Sequence, residues 1–320
     1  MVSLICGVAG EIAKYSKSHL RTGAEWSFSA ALVIHSIFYG SMAQRPLSLL
    51  MMLAAVAGCR TGRNYATPEG PRYTGAPNGD GAALHRGTDT LRVVSFNIEF
   101  ALHVDSALAV LRSDPALRGA DVLLLQEMNG DATRRVAEGL GMWYVYYPSF
   151  FHFRTDRDVG NAVLSRWPIV DDDKIVLPHL SRFVRTQRTA TAATIQVGQV
   201  RIRVYSTHLG TMGDLAPAAR RDQLSAIITD AEPYALVIIG GDLNDVRVGE
   251  VAQEQGYDWP TEHGPETTRL GRLDHIFFKG MGLPRRNAAG TVLDVRGTSD
   301  HRPVWAVALL DEGQNADRSG

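Results

Sequence analysis

Val237-Ile238-Ile239-Gly240-Gly241-Asp242-Leu243-Asn244 is an apolar run that stops at an acid and an amide. A short β-branched run bounded by glycines reads as a buried strand. Two polar residues spaced by two at its end project to the same side while the chain stays extended. The same grammar recurs along the chain. Asn97 ends Val93-Val94-Ser95-Phe96-Asn97, Glu127 ends Leu123-Leu124-Leu125-Gln126-Glu127, and His208 ends Val204-Tyr205-Ser206-Thr207-His208. Asp274 and His275 open an apolar run in Leu273-Asp274-His275-Ile276-Phe277-Phe278. Asp300 and His301 precede the last strand in Ser299-Asp300-His301-Arg302-Pro303. Any one of these is an ordinary turn residue or cap. Acids, amides and imidazoles at the ends of one buried strand after another point instead to a shared site. Converging carboxylates and an amide suit a hard, oxygen-seeking cation. Histidines beside acids suit proton transfer and anion stabilisation.

Around these runs the pattern predicts strands over 91–97, 121–127, 142–147, 161–165, 174–177, 235–239, 273–278, 291–294 and 303–309. Residues 189–197 and 200–206 read as a hairpin turned at Gly198-Gln199. Helical spacing predicts helices over 104–112, 131–140 and 216–229, the last with Pro217 in its first turn. Helices and hairpins occurring together imply mixed sheets. The 320 residues are 45% hydrophobic and 21% charged, which excludes collagen-like, disordered and multi-span membrane classes. Residues 90–311 carry 24 basic and 27 acidic side chains, unlike a domain that coats nucleic acid. Both cysteines, Cys6 and Cys59, lie outside that stretch, so a thiolate metal site is excluded there.

The ordered set Ser95-Phe96-Asn97-Ile98, Leu125-Gln126-Glu127, Gly160-Asn161-Ala162-Val163-Leu164-Ser165-Arg166, Ser206-Thr207-His208-Leu209, Gly241-Asp242-Leu243-Asn244, Leu273-Asp274-His275-Ile276-Phe277 and Ser299-Asp300-His301-Arg302-Pro303-Val304 resembles the endonuclease/exonuclease/phosphatase superfamily, the deoxyribonuclease I-like enzymes. The resemblance covers essentially all of 91–310. It implies an α/β four-layer sandwich, with two mixed β-sheets face to face and helices outside. It implies a metal-dependent hydrolase acting on phosphoric ester bonds, with Mg²⁺ as cofactor and Mn²⁺ as a substitute. Glu127 would be the principal metal ligand, Asn97 a direct or water-mediated one, and Asp300 would lie near the metal. Asp242 would orient or deprotonate the attacking water. Asn244, His208 and Asn161 would contact phosphate, and His301 would bind the scissile phosphate under the control of Asp274. His275 points to the opposite side of a regular strand and stands outside this set. Arg188 opens an apolar strand and is read equally well as a cleft residue or as a solvated charge.

The segment 1–58 reads as a signal region, with Met42 where such a signal would start. Arg45, the apolar run Leu47–Ala57 and Val56-Ala57-Gly58-Cys59 resemble the lipobox of bacterial lipoproteins, which implies a lipid on Cys59 and a place in the cell envelope. The apolar run is too short to span a bilayer of ~30 Å. Residues 59–89 read as a lipidated cysteine and flexible tether, 90–311 as the catalytic domain and 312–320 as a disordered tail, in a monomer. The substrate class stays open among nucleic acid, a phospholipid head group and a small phosphate ester. The aromatic run Trp143–Phe153 reads either as a loop that stacks bases or dips into lipid, or as a core strand. A catalytically inactive, surface-binding lipoprotein is the alternative function, but none of the site positions is replaced.

Overall fold

The computed structural model describes residues 63–77, 88–286 and 288–310. Signal region, Cys59 and tail lie outside them. The strands are β1 (Tyr73–Gly75), β2 (Thr90–Asn97), β3 (Val122–Met128), β4 (Trp143–His152), β5 (Arg157–Ser165), β6 (Ile169–Val176), β7 (Thr189–Val197), β8 (Val200–His208), β9 (Val237–Asp242), β10 (Asp274–Lys279), β11 (Ala289–Thr291) and β12 (Val304–Leu309). The helices are α1 (Val104–Ser113), α2 (Gly130–Leu140), α3 (Pro217–Asp230) and α4 (Glu250–Glu254). Seven strands form one sheet in the order β1-β4-β5-β3-β2-β12-β11, and five form the other as β10-β9-β8-β7-β6. Both are mixed: β2 runs parallel to β3 and β8 parallel to β9, while the other pairs are antiparallel.

Alternation along the strands builds the layers. Leu124, Val163, Val204, Ile238 and Ile276 point inward and fill the core between the sheets. Their neighbours face the helices. Phe96, Leu123 and Leu125 pack under α1 and α2 against Val110 and Val136. Tyr205, Ile239 and Phe277 pack under α3 against Leu224 and Ile227. This is the expected four-layer α/β sandwich. Among the described residues no helix is long and apolar enough to cross a membrane.

Two local readings are corrected, and one left open is decided. Residues 63–77, expected within the tether, lie on the domain. β1 pairs with the outer edge of β4, and Phe151 N donates to Arg63 O. A three-residue edge strand is held by backbone hydrogen bonds and needs no apolar periodicity to announce it. The aromatic run is strand β4, with Tyr146, Tyr147 and Phe150 buried, and only its end, Phe153, emerges. β6 begins at Ile169 and includes Asp171-Asp172-Asp173. Arginines from elsewhere in the chain neutralise that acidic run: Arg72 pairs with Asp172, and Arg203 with Asp171 and Asp173.

Candidate active site

In each sheet the two parallel strands end at the same edge. Asn97 and Glu127 therefore leave β2 and β3 together, and His208 sits beside Asp242 at the ends of β8 and β9. Face-to-face packing joins the two pairs: Asn97 Nδ2 donates to Asp242 Oδ2 at 3.1 Å across 145 residues of sequence. Gly241 lets β8 and β9 close up, because a Cβ there would run into the Thr207 carbonyl, and its φ of +151° disfavours any other residue. On the other side β3 bulges between Leu125 and Met128, and Glu127 takes φ +58°. That turns its carboxylate back toward the 99–101 turn, where Phe100 N donates to Glu127 Oε2 at 2.9 Å. A non-glycine residue held at positive φ signals backbone strain, which concentrates at functional sites.

Asp242 Oδ2 is the hub. His208 Nε2 lies 3.2 Å away and His301 Nε2 3.5 Å away. The other face of His208 approaches Glu127 Oε1, 3.7 Å from Nδ1. His301 Nδ1 bonds Asp274 Oδ2 at 2.9 Å. The 299–301 loop is fixed to β2 because Ser299 Oγ donates to Asn97 O and accepts from His301 N.

The electrostatics of these groups diverge. Burial favours neutral Asp242, as do the neighbouring Asp274 and Glu127 carboxylates, while His301 opposes it; its pKa is pushed up to about 7. Burial also raises Glu127, against the pull of Arg188. His301 goes the other way. Burial alone would lower it, but Asp274 and Asp242 outweigh that and push it up to about 10. His208 has no such partner geometry: burial, then the Arg188 and His301 cations, drive it well below the usual imidazole range, so it is neutral at pH 7. Its Nε2 and Asp274 Oδ1 are buried without a hydrogen-bond partner, as is Arg188 Nε.

The remaining sequence candidates fall in place unequally. Asn244 closes the turn after β9 at φ +51°, its backbone N donating to Asp242 Oδ1 at 3.0 Å and its Nδ2 to Leu209 O. Asn161 is buried in β5 and donates Nδ2 to Thr189 O at 2.7 Å, so that amide ties the two sheets together. Asp300 is exposed next to His301 and acts on it through space. His275 faces away as expected: Trp259 Nε1 donates to its Nδ1, and its Nε2 bonds Arg272 O. Arg188 resolves to the cleft. It precedes β7, lies over Phe150 and acts electrostatically on Glu127, Asp242 and His208. A lone arginine before an apolar strand carries no sequence signal that separates this role from a solvated face.

Residues 94–301, well over half of the chain, match the model of the Endonuclease/Exonuclease/phosphatase family. The chain belongs to that family. Solved structures of the fold include an endonuclease/exonuclease/phosphatase from Beutenbergia cavernae, 20% identical over 70% of this chain and 72% of its own, with a TM-score of 0.54. A humanized D. rerio TDP2 is 19% identical over 70% of this chain and all of its own, with a TM-score of 0.55. The human Nocturnin catalytic domain is 18% identical over 69% and 94%, with a TM-score of 0.53. No curated protein matches the chain. At these identities the structures establish the fold, a phosphoesterase-type sandwich, and the family is one of hydrolases.

The residues present fit a divalent cation. Two carboxylates, buried Asp242 and half-buried Glu127, face each other across His208 and Asn97, and desolvation disfavours the charge of both, a cost that a cation offsets. Asp242, Asp274 and His301 also bring one ligand atom each within 4.8 Å of one another. In that second group the 2.9 Å bond joins Asp274 Oδ2 to His301 Nδ1 as an acid–imidazolium pair, while Asp274 Oδ1 stays buried without a partner.

Proposed function

We propose that the chain hydrolyses phosphodiester or phosphomonoester bonds with the help of Mg²⁺ held by Glu127 and Asn97. The observation that carries this reading is the convergence on one oxygen, Asp242 Oδ2, of Asn97, His208 and a His301 imidazole pinned by Asp274. An acid with a pKa of about 7 stands 3.5 Å from an imidazole held charged to about 10. A carboxylate poised near neutrality is matched to taking a proton from water. An imidazolium pinned by Asp274 is matched to receiving negative charge on a phosphoryl oxygen.

Water adds to phosphorus as its proton passes to Asp242, and the leaving oxygen departs with the electron pair of the broken P–O bond. His301 Nε2 and Arg188 donate to the non-bridging oxygens as charge builds there. Neutral His208 stands against Asp242, its Nε2 3.2 Å from Oδ2. Asn244 fixes Asp242 through the turn, its backbone N donating to Asp242 Oδ1, and its amide stands at the same strand end for the phosphate. Mg²⁺, or Mn²⁺ in its place, supplies polarisation of the phosphoryl group and neutralisation of the leaving oxygen when bound.

The Val56-Ala57-Gly58-Cys59 pattern supports a further part of this proposal, that the chain works as a monomer in the bacterial cell envelope, lipid-anchored at Cys59. One neighbour, D. rerio TDP2, is solved with a single-stranded DNA product, which keeps nucleic acid among the substrates to be tried. The test is turnover of bis(p-nitrophenyl) phosphate with Mg²⁺ and with chelator, followed by DNA, RNA, sphingomyelin and phosphatidylinositol phosphates. Chelation should abolish turnover, and Arg188→Ala should lower kcat at least ~100-fold. Turnover indifferent to chelator, or to loss of Arg188, overturns the mechanism.

A further inference from the structure

The loops that surround the cleft expose large apolar side chains. Phe153 at the β4–β5 tip is 62% exposed, Phe183 in the 177–188 loop 69% and Leu270 before β10 72%. Phe183 lies in Arg182-Phe183-Val184-Arg185, all four exposed, and Phe153 is followed by exposed Arg154. All three loops lie at the edge where β3, β8 and β9 end, because β5, β7 and β10 run antiparallel to those strands and start there. Single exposed hydrophobes are unremarkable, but apolar tips flanked by arginines around one opening mark an interaction surface.

We propose that this rim docks onto a phospholipid bilayer, with Phe153 and Phe183 entering the headgroup boundary and the arginines meeting lipid phosphates. Three observations select a bilayer over a nucleic acid. Val184 and Leu270 are aliphatic and offer no face for base stacking. The domain's acidic balance opposes a polyanion, whereas a local Arg-Phe-Val-Arg tip suits an anionic lipid surface. The third is covalent reach. Arg63 O accepts from Phe151 N, and Asn64 bonds the Arg185 carbonyl and Gln187 N, so the start of the described chain lies against both aromatic loops. Cys59 is four residues earlier, at most ~14 Å of extended chain away. Given the lipid on Cys59 proposed above, so short a tether keeps this rim near the membrane. The consequence for substrate, headgroup phosphodiesters delivered to the cleft, rests on the hydrolase reading; the docking itself does not.

The test uses the full chain in a Cys6→Ser/Cys59→Ser background, which has no other thiol and no acyl chain. Phe153→Cys, Phe183→Cys and, as control, Val170→Cys are each labelled with an environment-sensitive fluorophore. Val170 is exposed at the opposite edge of the smaller sheet. Vesicles of phosphatidylcholine and phosphatidylglycerol at millimolar lipid should raise emission about twofold at 153 and 183, with brominated lipid quenching it, and leave 170 unchanged. Phe183→Ser/Val184→Ser should weaken co-sedimentation with the same vesicles. Labels at 153 and 183 that stay as wet as the one at 170, or that respond to single-stranded DNA and not to vesicles, overturn the proposal. The label reads lipid contact and not turnover, so buried labels on a protein that cleaves no phosphodiester support the docking while refuting the hydrolase.

Discussion

Replacing Asp274 by Asn keeps the shape of the 2.9 Å contact to His301 and removes its charge. Opposite charges about 4 Å apart at an effective dielectric of about 20 interact by roughly 4 kcal/mol, equivalent to about three pH units for the imidazole. His301 should then titrate about three units below its native value of about 10, near neutrality, with Asp242 as its remaining carboxylate neighbour. In the native protein His301 binds its proton more tightly than the ordinary imidazole with a pKa of ~6.5. It therefore contributes stability that is complete below pH ~6.5 and is lost as pH rises toward about 10. In the Asn variant most of that contribution should already be absent at pH 8. Heteronuclear NMR of the His301 ring in metal-free protein reads the titration directly, and urea unfolding at pH 6, 8 and 10 reads the linked stability. In turnover, the alkaline limb of the rate profile should move toward acid by the same amount. His301→Ala should lose at least ~100-fold in kcat, and the double variant should be little worse, because the acid acts only through the imidazole. A native His301 titrating near 6.5, an alkaline limb that does not move, or additive losses in the cycle would refute the pairing.

Glu127→Gln should abolish Mg²⁺-dependent activity and the rise in melting temperature on adding Mg²⁺, while the metal-free protein melts no lower than wild type, since burial already disfavours this carboxylate. A lower metal-free melting point with activity retained would make it a structural residue. Arg203, 1% exposed at its side chain, serves Asp171, Asp173 and Asp230 and lies between Tyr205 and Tyr234. Arg203→Ala should cost about 2–3 kcal/mol in urea unfolding with kcat of the folded fraction unchanged, chiefly through the lost packing of its buried side chain, since Asp171 and Asp173 are exposed enough to stay solvated. Mass spectrometry of membrane-extracted protein should find a lipidated Cys59 as the first residue; an intact peptide spanning Gly58-Cys59 in the mature pool would remove the anchor.

The strand ends were legible because a buried strand and a charged or amide side chain at its mouth leave a boundary in sequence: Asn97, Glu127, His208 and Asp242 each close a largely apolar, uncharged run. Which acid serves which imidazole is also readable, but only through family resemblance. The Asp274–His301 and Asn97–Asp242 contacts arise from sheet packing across 27 and 145 residues, which no local pattern encodes. The misreadings share a cause as well. β1 and the acidic start of β6 are held by partners distant in sequence, a backbone edge in one case and Arg72 and Arg203 in the other. The bond from Asn161 Nδ2 to the Thr189 carbonyl, which joins the two sheets, is likewise absent from any local pattern.

The placement of the chemistry follows from strand direction. Each sheet contains the sequence entering, leaving, leaving, entering: β12-β2-β3-β5 in one and β10-β9-β8-β7 in the other. The four leaving strands end in Asn97, Glu127, His208 and Asp242, and these supply the buried acceptors and the neutral imidazole. Three of the four entering strands bring their groups at or just before their first residues: Asp274 opens β10, Arg188 precedes β7 and His301 lies three residues ahead of β12. Both cations thus arrive on entering strands, and three of the four leaving residues present carboxylate or amide oxygen. Two parallel pairs packed face to face are enough to bring these sets together, and they crowd the Asp242 carboxylate against those of Asp274 and Glu127. Reversing one pair would send its ends to the far edge of the sandwich and split the acceptors between two sites. The fourth entering strand, β5, shows the limit of the rule: Asn161 lies inside the strand and not before it, and at that depth its amide meets the other sheet and not the cleft.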